Sequence, residues 1–270
     1  MNIFEYAMLK KLHGGGSSGG GSGGGAEYGK LCEEDYLEPG MIKGIWEIPG
    51  ETPVVLRCRS EYNTPFTVDW GDGTVEEYPY GSSGTYANHT YERKGFYAFK
   101  IAPNKRLQIG TDTTTGGICD FNFTSGQFLR KLYIDNPNIW IQYLGTQGMT
   151  HCEIKQYAGI YDNAFKNCSN LQTLVIPDGM TSVNTRTFEY CSSLYNVKFP
   201  KTVTKVASGV FNYCYRLDTI DFSKCDSVPT LSGALASPSY IKHILVPSAL
   251  YDEWITATNW VTYANQIVAV

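Results

Sequence analysis

Cysteine and histidine are the residue types in this chain with the widest chemical reach, and the spacing of its eight cysteines and four histidines limits what they can do. Cys168, Cys191 and Cys214 recur at an interval of 23 residues, each three residues after a phenylalanine and three before a leucine. On neighbouring strands in register they would lie about 5 Å apart, so bridging is conceivable. A position fixed between Phe and Leu nevertheless reads first as a small buried core residue. No C-x-x-C pair occurs, which removes the usual zinc and dithiol signatures, and Cys32, Cys58, Cys119, Cys152 and Cys225 follow no pattern. His13, His89, His151 and His243 are scattered. His151 and Cys152 are adjacent, so on a strand they face opposite ways and cannot pair as base and nucleophile. The sequence holds no G-x-S-x-G, H-E-x-x-H, P-loop or G-x-G-x-x-G following a strand. No catalytic residue, metal site or cofactor is expected, and the chain reads as a non-enzyme.

The remaining acidic candidates, Asp69 and Asp72, sit in Val68-Asp69-Trp70-Gly71-Asp72-Gly73-Thr74. The alternating oxygen ligands of a calcium loop are missing, and both carboxylates read as turn caps. Around them, from Gly40 to Pro103, short alternating runs (IKGIWEI, PVVLRCR, FTVDWGDG, TVEEY, GFYAFKI) are broken by Gly, Pro, Asn or Asp. This is the pattern of an antiparallel sandwich. Asp72-Gly73 supplies a positive-φ turn and Trp70 a core filler, with His89 expected in a structural hydrogen bond. The WGDGT turn followed by His89-Thr90-Tyr91 and Gly95-Phe96-Tyr97 resembles the PKD-type, immunoglobulin-like module of surface and virion proteins.

Three segments align without gaps at the 23-residue period: 163 to 177 with Phe165, Cys168, Leu171, Leu174 and Ile176; 186 to 200 with Phe188, Cys191, Leu194, Val197 and Phe199; and 209 to 222 with Phe211, Cys214, Leu217, Ile220 and Phe222. Ile241-Lys-His-Ile244-Leu-Val246-Pro247 follows as a partial copy one residue late, and Leu129-Arg-Lys-Leu132-Tyr-Ile134 reads as a degenerate early one. Such a period means one short strand and one bend per coil, stacked as a solenoid with Leu174, Val197 and Ile220 in an interior ladder. The motif resembles the BspA-like leucine-rich repeat family over roughly residues 150 to 247. Residues 248 to 270 read as a C-terminal cap, a short helix with Ser248 as N-cap followed by a return strand ending in Val268 and Val270.

Nine of the 28 glycines fall in GGGSSGGGSGGG, Gly14 to Gly25, a flexible tether with a reach of about 17 to 21 Å. Ahead of it, Ile3, Phe4, Ala7, Met8 and Leu12 lie at helical spacing and form a candidate docking helix. The organisation expected is a mainly β chain: docking helix 1–13, linker 14–26, immunoglobulin/PKD-like β-sandwich 27–105, leucine-rich-repeat solenoid 106–247 with clear repeats at 160–247, and cap 248–270.

The formal net charge of −4 becomes −5 without residues 1 to 25, where 25 acids face 20 bases, and no basic block exists. Nucleic acid and anionic membrane are poor partners on this count, no apolar run reaches the length of a membrane span, and no secretory leader is recognisable. Three N-x-[ST] matches, at Asn88, Asn122 and Asn167, then read as chance. What remains is surface: Tyr190, Tyr195, Tyr213 and Tyr215 lie off the ladder, and Trp140 and Tyr143 precede the array. These either fill grooves between coils or contact a ligand. The peg and tether resemble the start of phage fibre and spike proteins. That resemblance implies a virion protein, assembled in the host cytoplasm and exposed on the particle, docked by its N-terminus to capsid, portal or tail proteins and displaying an adhesive body to host-surface glycan or protein. The alternative is a bacterial cell-surface adhesin of the BspA-like kind; self-association is left open in both.

Overall fold

A computed structural model describes residues 41–60, 65–79, 85–103, 107–109, 126–137, 139–141, 143–156, 159–236 and 241–270. The docking helix, with Ile3, Phe4, Ala7, Met8 and Leu12, and the linker lie outside the described residues.

The described chain is mainly β. Its first part contributes β1 (Met41–Ile48), β2 (Thr52–Ser60), β3 (Phe66–Asp69), β4 (Val75–Tyr78), β5 (Thr85–Tyr91), β6 (Gly95–Pro103) and β7 (Leu107–Ile109). β1, β6, β3 and β4 pair antiparallel in that order, and β5, β2 and β7 form a second antiparallel set. Alternation on β3 and β5 turns Phe66, Val68, Ala87 and Tyr91 inward, where Tyr91 stacks on Tyr97 at 4.2 Å. In an immunoglobulin domain the last strand flanks the sixth. Among the described strands the place beside β6 is taken by β1, the first of them.

The WGDGT turn follows its local chemistry. The Gly71 amide donates to Asp69 Oδ1 (2.9 Å) and the Thr74 amide to Asp72 Oδ1 (3.0 Å), while Asp72 Oδ2 lies 2.7 Å from His89 Nε2. Trp70 is fully buried, stacks on His89 at 4.8 Å and donates from Nε1 to Glu76 Oε2. Gly71 and Gly73 both take positive φ, 78° and 99°. A Cβ on Gly71 would also run into the Ala98 carbonyl. Both carboxylates are thus engaged in the turn.

Next come β8 (Leu129–Asp135), β9 (Ile139–Ile141), β10 (His151–Gln156) and β11 (Gly159–Ile160). β8 is antiparallel to β1 but parallel to β10, and β7 is antiparallel to β2 but parallel to β9. Each sheet therefore changes from antiparallel to parallel as it leaves the first module, and both sheets cross the boundary expected at 105/106. The pairing is possible because β8 carries the early repeat copy: Leu132 registers with Cys152, and Cys152 with Leu174.

The coils continue through β12 (Thr173–Val175), β13 (Ser182–Val183), β14 (Asn196–Lys198), β15 (Lys205–Val206), β16 (Thr219–Asp221), β17 (Thr230–Leu231) and β18 (His243–Val246) in two parallel columns. Val197 faces Ile220 after 23 residues and Ile220 faces Ile244 after 24, so the late copy stays in register. Leu174, Val197, Ile220 and Ile244 are buried as a ladder. Phe165, Phe188 and Phe211 form a second ladder, their rings stacked at 5.6 and 5.4 Å. Beside them the Cys191 and Cys214 thiols donate to the Phe165 and Phe188 carbonyls of the preceding coil, at 3.1 and 3.0 Å. One apolar cluster runs from Ile42 to Ile267.

The end is closed by helix α1 (Tyr251–Thr256) and strand β19 (Ile267–Ala269), which is parallel to β18. Trp254 and Trp260 cover Phe222 at 5.2 and 5.5 Å. Ser248 does not cap this helix. It opens the preceding 3₁₀ turn, and its hydroxyl donates to the carbonyl of Val270 (3.0 Å) at the end of the return strand, while Leu250 holds the N-cap position of the helix.

Candidate functional site: an exposed tyrosine ridge

Each coil turns through a six-residue bend that ends at the cysteine, and this bend requires left-handed backbone at two places. The first is held by Asn163, Arg186 and Gly209 (φ 60°, 53° and 69°), the second by Asn167, Tyr190 and Tyr213 (φ 65°, 63° and 61°). The geometry lets alternate amides of the bend reach the next coil: Asn163, Phe165 and Asn167 donate to the carbonyls of Thr185, Thr187 and Glu189, and Phe188 and Tyr190 to those of Val210 and Asn212. Asparagine and glycine suit that conformation, whereas a bulky side chain there is strained by about 1 kcal/mol or more. Two coils nevertheless place tyrosine at the second position.

The consequence is a column on the outside of the bends. Tyr190 and Tyr213 stack at 4.3 Å with planes 8° apart. Tyr215 meets Tyr213 edge-on at 6.2 Å and 66°. Their exposures are 40%, 42% and 56%. One coil earlier Asn167 donates to the Tyr143 hydroxyl at 2.7 Å, and Tyr143 too is left-handed, φ 45°. Partial desolvation, with Tyr213 and Glu189 close by, holds the Tyr190 phenol above its ordinary value, so it is a neutral hydroxyl. Behind the ridge the buried Glu189 carboxylate takes Lys166 Nζ at 2.6 Å and Arg186 Nε at 3.8 Å.

Of the aromatic residues singled out from sequence, Tyr190, Tyr213 and Tyr215 therefore share one ridge, with Tyr143 held by Asn167 one coil earlier. Two do not join it. Tyr195, 49% exposed, sits at the entry to β14, where its carbonyl accepts the Asp218 amide at 2.9 Å. Trp140 lies on β9 in the other strand column, in register with Gln108 and Gly159. The Tyr190–Tyr213 stack joins two adjacent coils and leaves both residues and Tyr215 open to solvent.

Sequence reasoning missed the left-handed positions, the Glu189 ion cluster and the group around Asp218. The Lys242 ammonium, 2.8 Å from Asp218, together with the Thr219 hydroxyl, holds the Asp218 carboxyl down at about 2. Asparagine or glycine at 163, 167 and 209 was the available signal for the bend. Among the described residues no group of three or more His, Cys, Asp and Glu is placed to hold a metal ion, and no helix is long and apolar enough to cross a membrane.

A two-column solenoid of 23-residue coils with inward Phe, Cys and Leu defines a leucine-rich-repeat architecture. Residues 158–252 match the family model of the BspA type leucine rich repeat region, in six copies. The match extends the repeat beyond the three gapless copies and takes in the start of the terminal helix. No curated protein matches the chain.

Proposed function

We propose that the chain is a non-enzymatic surface-recognition protein of the adhesin type, with the tyrosine ridge as its contact surface. The observation that carries this reading is the retention of large aromatic side chains at strained left-handed positions, where Asn167 meets the same backbone demand without strain. Strain of this kind needs a compensating role, and tyrosine offers rigid, amphipathic contact area at low entropic cost. The BspA-type repeat of residues 158–252 supports the cell-surface alternative over virion mounting. The docking helix and tether on which a virion mount chiefly rests lie in residues 1–25, outside the described part.

The reading is tested by coating beads with the intact chain and measuring retention on epithelial monolayers and on intact bacterial cells. Tyr190→Asn/Tyr213→Asn beads should lose retention while the protein keeps its unfolding midpoint within error of about 1 kcal/mol. Equal retention of the variant, or no retention of the parent on either surface, refutes the ridge.

A further inference from the structure

We infer that Tyr190 and Tyr213 are a site of oxidative cross-linking, at which a peroxide-driven one-electron oxidant joins the two rings as dityrosine and staples adjacent coils. The inference holds whatever the ridge contacts. The rings lie 4.3 Å apart with planes 8° from parallel, and their backbones have nearly the same φ, 63° and 61°. The Tyr190 amide donates to the Asn212 carbonyl at 2.9 Å, which holds the two chains one strand spacing apart, about 4.8 Å. Side chains that leave equivalent positions of successive coils point the same way, so like ring atoms face like. Desolvation, and after it the Tyr213 phenol, raises the Tyr190 phenol, which places the two hydroxyl ends together.

Access separates this pair from the other tyrosine contacts. Tyr190 and Tyr213 are exposed, whereas Tyr91 and Tyr97, stacked at 4.2 Å, are buried, and Tyr91 donates its hydroxyl to the Trp70 carbonyl. Tyr215 is farther from Tyr213, at 6.2 Å, and crosses it at 66°. The thiols next in sequence, which could intercept a radical, are shut away: Cys191 and Cys214 are buried and donate to carbonyls of the preceding coil. Each neutral phenol gives up one electron and one proton. The two phenoxyl radicals join through ring carbons ortho to oxygen, and the hydrogens on those carbons move to the oxygens. Two phenols and one hydrogen peroxide thus give one biphenol and two waters. The rings must swing from face to face toward a common edge, and their exposure leaves room for it. The bond closes a loop from 190 to 213, which restricts the unfolded chain as a disulfide does.

The test treats the intact chain, kept dilute, with a haem peroxidase and limiting hydrogen peroxide, and maps tryptic peptides by tandem mass spectrometry. Peptides 187–198 and 206–216 should appear joined and lighter by two hydrogens than their sum, with fragmentation placing the bond at 190 and 213 rather than at 195 and 215. This link should exceed every other tyrosine pair by about tenfold or more, because a held pair reacts without the entropic cost of encounter. The preference should vanish in urea, and the linked chain should unfold at higher urea than the unlinked one. Tyr190→Phe and Tyr213→Phe keep the stacked ring, and each should abolish the link at an unchanged urea midpoint. Photo-oxidation with tris(bipyridyl)ruthenium and persulfate, a small oxidant, should give the same link, so access of the enzyme does not decide the result. The inference is overturned if neither oxidant yields the 190–213 bond, if other tyrosine pairs match its yield, or if the preference persists in urea.

Discussion

Tyr190 and Tyr213 stack face to face at 4.3 Å from backbone positions that are left-handed in both coils, φ 63° and 61°. The pair thus combines an energetic gain, ring contact worth about 0.5–1.5 kcal/mol, with a strain of similar size at each residue. Replacing either by asparagine removes both terms together. Single Tyr190→Asn and Tyr213→Asn changes should each leave stability within about 1 kcal/mol of the parent in urea unfolding, and the double variant should show a coupling energy of about 0.5–1.5 kcal/mol.

Phe188 is the contrasting case. It is fully buried and stacked on both sides, against Phe165 and Phe211. Phe188→Ala should cost about 3–5 kcal/mol, as deletion of a core aromatic does, read as a lowered urea midpoint.

Both sheets and the apolar cluster run through from the first module to the repeats, so damage at one end should be felt at the other. Gly71→Ala places a side chain at φ 78° against the Ala98 carbonyl and should cost about 1–3 kcal/mol. Its effect should appear in the same unfolding transition that Phe188→Ala lowers, followed by tryptophan fluorescence and far-UV dichroism. Two separated transitions in the parent chain would show independent units.

Much of this arrangement is legible in the sequence, and the boundary of legibility has a physical origin. Inward Phe, Cys and Leu recur at a fixed interval because burial selects residue type, so the ladder of Leu174, Val197 and Ile220 follows from hydropathy. The sign of φ at Tyr190 and Tyr213 leaves no hydropathic trace, and only Asn167 in the equivalent place points to it. Cys152 occupies the aliphatic position of the ladder rather than the cysteine position, so its coil is invisible to the repeat pattern. The joining of sheets at β8 depends on Leu129, Leu132 and Ile134 alone, too few residues to distinguish a first coil from a last sandwich strand. The ridge itself was half visible: its tyrosines stand off the ladder, but their grouping apart from Trp140 and Tyr195 is a matter of bend geometry.

Cys152, Cys168, Cys191, Cys214 and Cys225 are buried free thiols. Burial pushes the Cys168 and Cys225 thiols up to about 11 and Cys214 to about 12, and Cys152 and Cys191 well above the ordinary value. Thiolate is the reactive form, so iodoacetamide at about pH 8 should leave these five unmodified in the native protein, as read by peptide mass mapping. Their alkylation should rise only with global unfolding in urea. Rapid native labelling of Cys168, Cys191 or Cys214 would contradict the packed ladder.

Acid should act through the carboxylates held below their ordinary value, Asp218, Asp72 and Asp221 among them. Asp218 is held at about 2 by Lys242 and Thr219. Burial pushes Asp72 up, but the Thr74 amide and His89 outweigh it and leave its carboxyl below the ordinary value. A carboxyl whose folded value is depressed contributes fully above its unfolded value of about 3.9 and loses that contribution as the pH falls through the folded one. Stability should therefore decline between about pH 4 and pH 2, and Asp218→Asn and Asp72→Asn should each flatten that decline. The Asp218 part should shrink at high salt, since Lys242 is exposed.

Which tyrosines a bound surface covers decides whether the ridge is the contact surface. Hydroxyl-radical footprinting of the intact chain, free and on the cells that retain it, reads this residue by residue. The ridge predicts protection at Tyr190, Tyr213 and Tyr215, with Tyr86 on the edge strand β5 unchanged. Unchanged labelling at all three, with protection at Tyr86 or elsewhere, would contradict it.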